Sequence, residues 1–199
     1  MTHIARLRAF AQSMTHLVAE HRGDEKALLD RGAQLLRELV AYDDWLPDAF
    51  AQPSHETYRQ YLLHCDPLER FCVVSFVWRP GQRTPLHDHL TWGLVAQLRG
   101  QELCQEYAAC RDRPGYAQTG EHVMRRGNID RLSPALGDTH VVSNVGDGTS
   151  VSIHVYGANI GAVRRHVFDP ATGAARDFVS GYHNPSTPNL WDRAADARH

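Results

Sequence analysis

Residues 81–100 read GQRTPLHDHLTWGLVAQLRG, and the pair His87 and His89 at their centre decides how the rest of the chain is read. In an extended strand, side chains two apart point to the same face about 7 Å apart along the chain, so both imidazoles reach one point. Neutral imidazole suits zinc, copper, iron and nickel, whereas carboxylate-rich sites suit magnesium, calcium and manganese, so a transition ion is the expected guest. Taken alone, an His-x-His pair is more often a solvated strand feature than a metal site. Gly81 and Gly100 bracket it with chain reversals, which places the histidines on a strand between two turns.

A second block, residues 127–144, reads GNIDRLSPALGDTHVVSN. A turn at Pro134 feeds an extended Thr-His-Val-Val run whose His140 can complete a three-nitrogen site. Together the two blocks resemble the paired motifs of the cupin superfamily, G-x5-H-x-H-x3-4-E-x6-G and G-x5-P-x-G-x2-H-x3-N. The first is met at Gly81, His87, His89 and Gly100, with Gly93 standing where the motif has its Glu. The second is met at Pro134, Gly137, His140 and Asn144, with one extra residue on each side of the proline. The resemblance implies a mainly β fold, a double-stranded β-helix or jelly-roll barrel.

Length and composition agree with one such barrel: 199 residues at 42% hydrophobic content suffice for one sizeable core. A single domain is expected, with a helical cover over 1–52, a barrel over 58–178 and an irregular tail over 181–199. The net charge of −2, without a basic run, leaves no electrostatic footprint for nucleic acid. No window approaches the ~20 apolar residues of a membrane span, and arginines interrupt the N-terminal MTHIARLRAFAQSM, so a cytoplasmic protein is expected. Cys65, Cys72, Cys104 and Cys110 show no C-x-x-C spacing and are expected to be reduced thiols.

Ile4, Leu7, Ala11, Met14, Leu17 and Val18 fall at helical spacing over residues 2–22, and Gly23 with Asp24 ends that helix and starts another. The second carries Leu28, Leu35, Leu36, Leu39 and Val40, and a short third helix is expected around 48–52. These stripes are packing faces that cover a sheet. From Tyr58 the period becomes two. Strands are expected near 58–64, 71–78, 91–98, 102–109, 121–125, 138–144, 150–156, 162–168 and 175–178, and they close as a jelly roll.

Residues 150–165 read SVSIHVYGANIGAVRR. Ser152, His154 and Tyr156 share one strand face and Val151, Ile153 and Val155 the other. Pointing inward, hydroxyl, imidazole and phenol form a hydrogen-bonded relay; pointing outward, they are an ordinary polar face. Over roughly residues 58–168 the chain resembles the thiol dioxygenases, the cysteine dioxygenase type I family of cupins. The resemblance is carried by His87-Asp88-His89, His140 and the S-x-H-x-Y run from Ser152 to Tyr156. It implies non-haem Fe(II) held by His87, His89 and His140, and Ser152, His154 and Tyr156 beside the pocket as catalytic residues. The family also replaces the cupin Glu, as Gly93 does here. Three neutral imidazoles leave the ion its full charge, which favours an anionic thiol, and adding both oxygens of O2 to sulfur gives a sulfinate.

Two departures bear on the thiol. Where cysteine-specific members have Tyr-x-Arg, this chain has Tyr58-Arg59-Gln60, and an amide binds a carboxylate more weakly than a guanidinium fork. Bacterial 3-mercaptopropionate dioxygenases share the Gln and supply an arginine after the S-x-H-x-Y strand, matched here by Arg165. Arg164 and Arg165 point to opposite faces, so at most one reaches the pocket; both on the surface is the plain alternative. Gly93 and Leu94 stand where animal members carry the cysteine that joins their tyrosine, so no crosslink to Tyr156 is expected. Trp78 and Trp92 are expected to wall the pocket. The expected substrates are 3-mercaptopropionate and O2, with L-cysteine as the alternative thiol. A non-catalytic cupin sensor and a zinc hydrolase are the readings of other classes.

Overall fold

The computed structural model describes residues 3–191. Helix α1 (Ala5–Glu20) ends before Gly23, whose φ of 83° turns the chain, and the Asp24 carboxylate accepts the Ala27 N–H at 3.0 Å to start α2 (Glu25–Val40). Their buried sides, Leu7, Met14 and Leu17 on α1 and Ala33, Leu36 and Val40 on α2, pack on a β-sheet. A Cβ at Gly32 of α2 would come within 2.9 Å of Leu94 Cδ1, so helix and sheet touch where the side chain is missing. The expected third helix is one 3-10 turn, Asp48–Phe50.

Eleven strands are assigned among the described residues: β1 (Arg59–Cys65), β2 (Cys72–Trp78), β3 (Leu86–His87), β4 (Gly93–Arg99), β5 (Gln101–Ala109), β6 (Tyr116–Arg125), β7 (Ile129–Leu132), β8 (His140–Asn144), β9 (Ser150–Tyr156), β10 (Arg165–Phe168) and β11 (Ala175–Phe178). They form two antiparallel sheets, β1-β2-β9-β4-β7 and β11-β10-β3-β8-β5-β6. This is the double-stranded β-helix arrangement expected from the sequence, mainly β with two N-terminal helices. The helices lie on the first sheet, so β2 and β9 are buried along their whole length. On β9, Val151, Ile153 and Val155 join the core under the helices, which turns Ser150, Ser152, His154 and Tyr156 into the barrel.

Beyond that third helix, the structure corrects the sequence reading at the histidine pair and in four strands, β6, β7, β8 and β10, with β6 starting at Tyr116 and not near 121. The histidine pair does not share a strand: β3 ends at His87, and His89 lies in the loop beyond it. Asp138 takes the His89 and Leu90 N–H groups, Leu90 turns at φ 58°, and Asp88 takes the His166 N–H, so side chains replace the ladder. Strand β7 has no counterpart in the expected set, because Ile129–Leu132 sets two charged residues side by side between its apolar ends and shows no alternation. Strands β8 and β10 start later than expected, the latter after a turn in which Ala162 N–H bonds to Asn159. The tail expected over 181–199 is irregular as far as it is described; residues 192–199 lie outside the described residues. It runs along β1, where Gln60 bonds His183 and Leu62 bonds Asn184. No helix among the described residues is long and apolar enough to cross a membrane.

Candidate metal centre

His87 closes β3, His140 opens β8, and the two face each other across that ladder, while the following loop brings in His89. The three ring centroids stand 4.8, 4.9 and 4.9 Å apart. A donor nitrogen from each ring lies within 4.8 Å of the others, so the group can hold one metal ion. The Nδ1 of each ring meets a different partner: the Pro85 carbonyl at 3.1 Å for His87, Asp138 Oδ1 at 2.8 Å for His89, and the Cys104 sulfur at 3.6 Å for His140. An imidazole engaged at Nδ1 offers Nε2 to a metal.

One atom tests the fit directly. His89 Nε2 is buried and has no hydrogen-bond partner, an arrangement that costs roughly 1–3 kcal/mol unless something binds the nitrogen. Burial, and then the neighbouring rings, hold His87 and His140 well below the ordinary imidazole range, which keeps them in the neutral form a metal requires. The residues therefore fit a divalent transition ion bound by nitrogen alone. A second group, Cys104, His122 and Asp130, offers three donors too. There the donors are already committed: His122 Nε2 meets Asp130 at 2.6 Å, and burial pushes the Cys104 thiol up to about 12.

A cavity of about 190 Å³ opens beside His87 and His140. Tyr58, Phe76, Trp78, Val142 and Phe178 wall it, Tyr58 stacking on Trp78 at 4.4 Å, and Gln60 and Arg165 supply its polar end. Arg165 is 4% exposed, its Nη2 donates to Ser180 Oγ at 2.7 Å, and its Nε has no partner. No carboxylate among the described residues pairs with it, and burial presses its pKa down. Arg164 instead turns outward to Asp177. The Gln60 side-chain amide donates to the Gly181 carbonyl.

The S-x-H-x-Y run stands at the same cavity. Ser152 Oγ lies 2.9 Å from His154 Nε2, and His154 Nδ1 lies 2.8 Å from the Tyr156 hydroxyl. The Tyr156 ring stacks on His89 at 5.3 Å. Burial pushes His154 down to about 3 and raises the Tyr156 phenol far above its ordinary range. Gly93 faces Tyr156 across β4 and β9, and a Cβ there would come within 3.0 Å of its Cδ1 and 2.9 Å of Leu132 Cδ1.

No protein-family model matches the chain. Among solved structures it is similar to a double-stranded β-helix protein of Klebsiella pneumoniae (20% identity, TM-score 0.43, covering 60% of this chain and 95% of that one). It is also similar to a cupin-like protein of Thermotoga maritima (21% identity, TM-score 0.42, covering 57% of this chain and 80% of that one). A third similarity is to an oxalate oxidase in complex with glycolate (16% identity, TM-score 0.46), of which this chain spans 62% while 61% of its own length is covered. All three likenesses are distant.

Tyr58, Gln60, Trp78, His87, His140, His154, Tyr156 and Arg165 line one cavity, Ser152 backs it, and His89 closes the metal triangle. Trp92 does not belong with them: it is packed against the core under the helices, where its ring lies against Gly157. The cysteine facing Tyr156 is Cys72, its partner across β2 and β9, and all four cysteines are free. Sequence reasoning missed Asp138 and Ser180, which aim His89 and Arg165. A carboxylate two residues before a metal-block histidine is a usable signal for the first; nothing in the sequence marks the second.

Proposed function

We propose that this chain is an Fe(II)-dependent thiol dioxygenase of the cysteine dioxygenase type I family, which converts 3-mercaptopropionate and O2 to 3-sulfinopropionate. One observation carries the reading: a three-histidine group and an unneutralised buried arginine stand at the same cavity, which is large enough only for a small molecule. At about 190 Å³ it falls below the roughly 300–1,000 Å³ of pockets for drug-sized ligands. Arg165 holds the substrate carboxylate, steadied by Ser180, and Tyr156 contributes a hydrogen bond beside His89. Tyr58, Trp78 and Phe76 exclude water from the carbon chain, and Gln60 completes the polar end beside Arg165. His87, His89 and His140 would hold the iron, which supplies thiolate activation and access to O2.

The lining of the cavity favours 3-mercaptopropionate over L-cysteine. It includes Arg165 and Arg176 but no Asp or Glu, so the α-ammonium of cysteine has no anionic partner there. The test is oxygen uptake by anaerobically Fe(II)-loaded protein with 3-mercaptopropionate, L-cysteine and cysteamine, with products identified by mass. Sulfinate formed fastest from 3-mercaptopropionate is the expected result. Faster cysteine turnover overturns the substrate assignment, and no uptake with any thiol by iron-loaded protein overturns the activity.

A further inference from the structure

The relay does not end at Ser152. Behind it, inside the barrel, stands Glu102 of β5, 1% exposed. Its Oε1 accepts from Ser150 Oγ at 2.9 Å and from Gln97 Nε2 at 3.1 Å, and the Ser152 hydroxyl, 2.9 Å from His154 Nε2 on its other side, stands close enough to the carboxylate to favour its charged form. The strands around it bring Gln97 from β4, Met124 from β6, Asn144 from β8, and Ser150 and Ser152 from β9. Its cavity, about 300 Å³ on the other side of His140, carries the titratable or charged groups Cys104, Glu106, Asp130, Arg131, Asp138 and His140. None of them neutralises Glu102, and Arg131 reaches out to Asp30.

Counting protons along this chain gives it a direction. A hydroxyl has one proton to donate and a neutral imidazole has one N–H. With Glu102 ionised, Ser152 spends its proton on the carboxylate, so its oxygen accepts from His154 Nε2–H. His154 is neutral, buried against Phe76 at 4.2 Å between centroids and without a carboxylate partner among the described residues. Its Nδ1 is then bare and accepts the Tyr156 O–H, so the phenol shows the cavity only lone pairs. With Glu102 protonated every bond reverses: the acid donates to Ser152, Ser152 to His154 Nε2, and His154 Nδ1–H to the Tyr156 oxygen. The phenol proton is then free to point into the cavity.

We infer that Glu102 is a positioning residue that sets the direction of the hydrogen bonds through Ser152 and His154, and with it whether Tyr156 offers the cavity a proton or a lone pair. Burial pushes Glu102 up to about 7, so both directions are reached near neutrality. The consequence for a thiol acid rests on the dioxygenase reading: a carboxylate beside Arg165 is bound better by a donating phenol. The direction of the chain does not rest on it.

The test reads the imidazole and not turnover. In 15N-histidine-labelled, Zn2+-loaded protein, the His154 signals, assigned with His154→Gln, should show Nε2–H at about pH 9 and Nδ1–H at about pH 5.5, without a positive charge on the ring at either. Glu102→Gln, whose amide donates to Ser152, should show Nδ1–H throughout, and Ser152→Ala should abolish the switch. A wild-type ring that keeps one tautomer over the whole range overturns the inference, and that measurement needs no variant to fold. A switch that survives in Ser152→Ala, or a Glu102→Gln protein matching wild type at high pH, overturns it too. The expected switch in the Zn2+-loaded form, beside Fe(II)-loaded protein that takes up no O2 with any thiol, would overturn the dioxygenase reading alone.

Discussion

Asp138 is the residue whose replacement by its amide should say most about the metal centre. Its two oxygens serve three donors: His89 Nδ1 at 2.8 Å and Leu90 N–H at 2.8 Å, with the His89 N–H at 3.0 and 3.1 Å between them. Asp138→Asn leaves one accepting oxygen. If the oxygen faces the backbone, the NH2 faces His89 Nδ1, which must then accept, and the imidazole proton moves to Nε2, the atom offered to the metal. If the oxygen faces His89, the NH2 opposes the Leu90 N–H and the loop loosens. Either way a buried bond to a charged group is lost at about 1.5–3 kcal/mol, and metal affinity should fall roughly 10- to 100-fold. The assay is a titration of metal-stripped protein with Co2+ or Zn2+ against a chromophoric chelator, with thermal unfolding of the metal-free protein in parallel. Affinity within about twofold of wild type, in a protein that unfolds at the wild-type temperature, would refute the claim that Asp138 aims His89.

Three further outcomes are expected. Arg165→Gln should lower kcat/KM for 3-mercaptopropionate by roughly 10- to 100-fold while leaving cysteamine, which has no carboxylate, nearly unchanged; equal losses in steady-state kinetics would remove Arg165 from the carboxylate. Gly93→Ala should cost about 1–3 kcal/mol in urea unfolding, because its methyl group meets Leu132 and Tyr156; an unchanged midpoint would show that the wall yields. Asp66 accepts from both Arg70 Nε and Nη2 and from the Leu68 and Arg70 N–H groups, which lowers its carboxyl to about 2 from 3.8. A depressed carboxyl stabilises the fold above its unfolded pKa and loses that stability as pH falls through the folded one. Asp66→Asn should therefore be less stable than wild type by about 2 kcal/mol at pH 7, and the gap should close as pH falls from about 4 to about 2. A gap independent of pH would assign the effect to packing.

The site was legible where a short period coincides with chemistry-bearing side chains. Ser152, His154 and Tyr156 alternate with three β-branched residues, so the covered face identifies itself and the other follows. His87, His89 and His140 were legible as a set, but not the loop geometry that joins them, because the backbone there is held by Asp88 and Asp138, and carboxylates near turns read as turn residues. Glu102 was invisible for a different reason. On β5 it alternates with Leu103, and its face continues through Cys104 and Glu106 while the opposite face carries Leu103, Gln105 and Tyr107, so polarity does not say which side is inside. Strand β7 places Asp130 beside Arg131 between Ile129 and Leu132, so it shows no alternation. The two long helices and the seven-residue strands β1, β2, β4 and β9 were found because each repeats its pattern several times.

Strand β9 serves two masters, with its odd-numbered valines and isoleucine gripped by the helices and its even-numbered residues standing in the site. The N-terminal helices are thus a clamp on the strand that carries Ser152, His154 and Tyr156 and not a lid that can be trimmed. A variant that shortens them would leave Val151, Ile153 and Val155 facing water, and the loosened strand would carry His154 and Tyr156 with it. Engineering of this barrel toward new guests has two independent handles as a result: the cavity wall selects the guest, and the helix layer sets how firmly the strand beneath it is held.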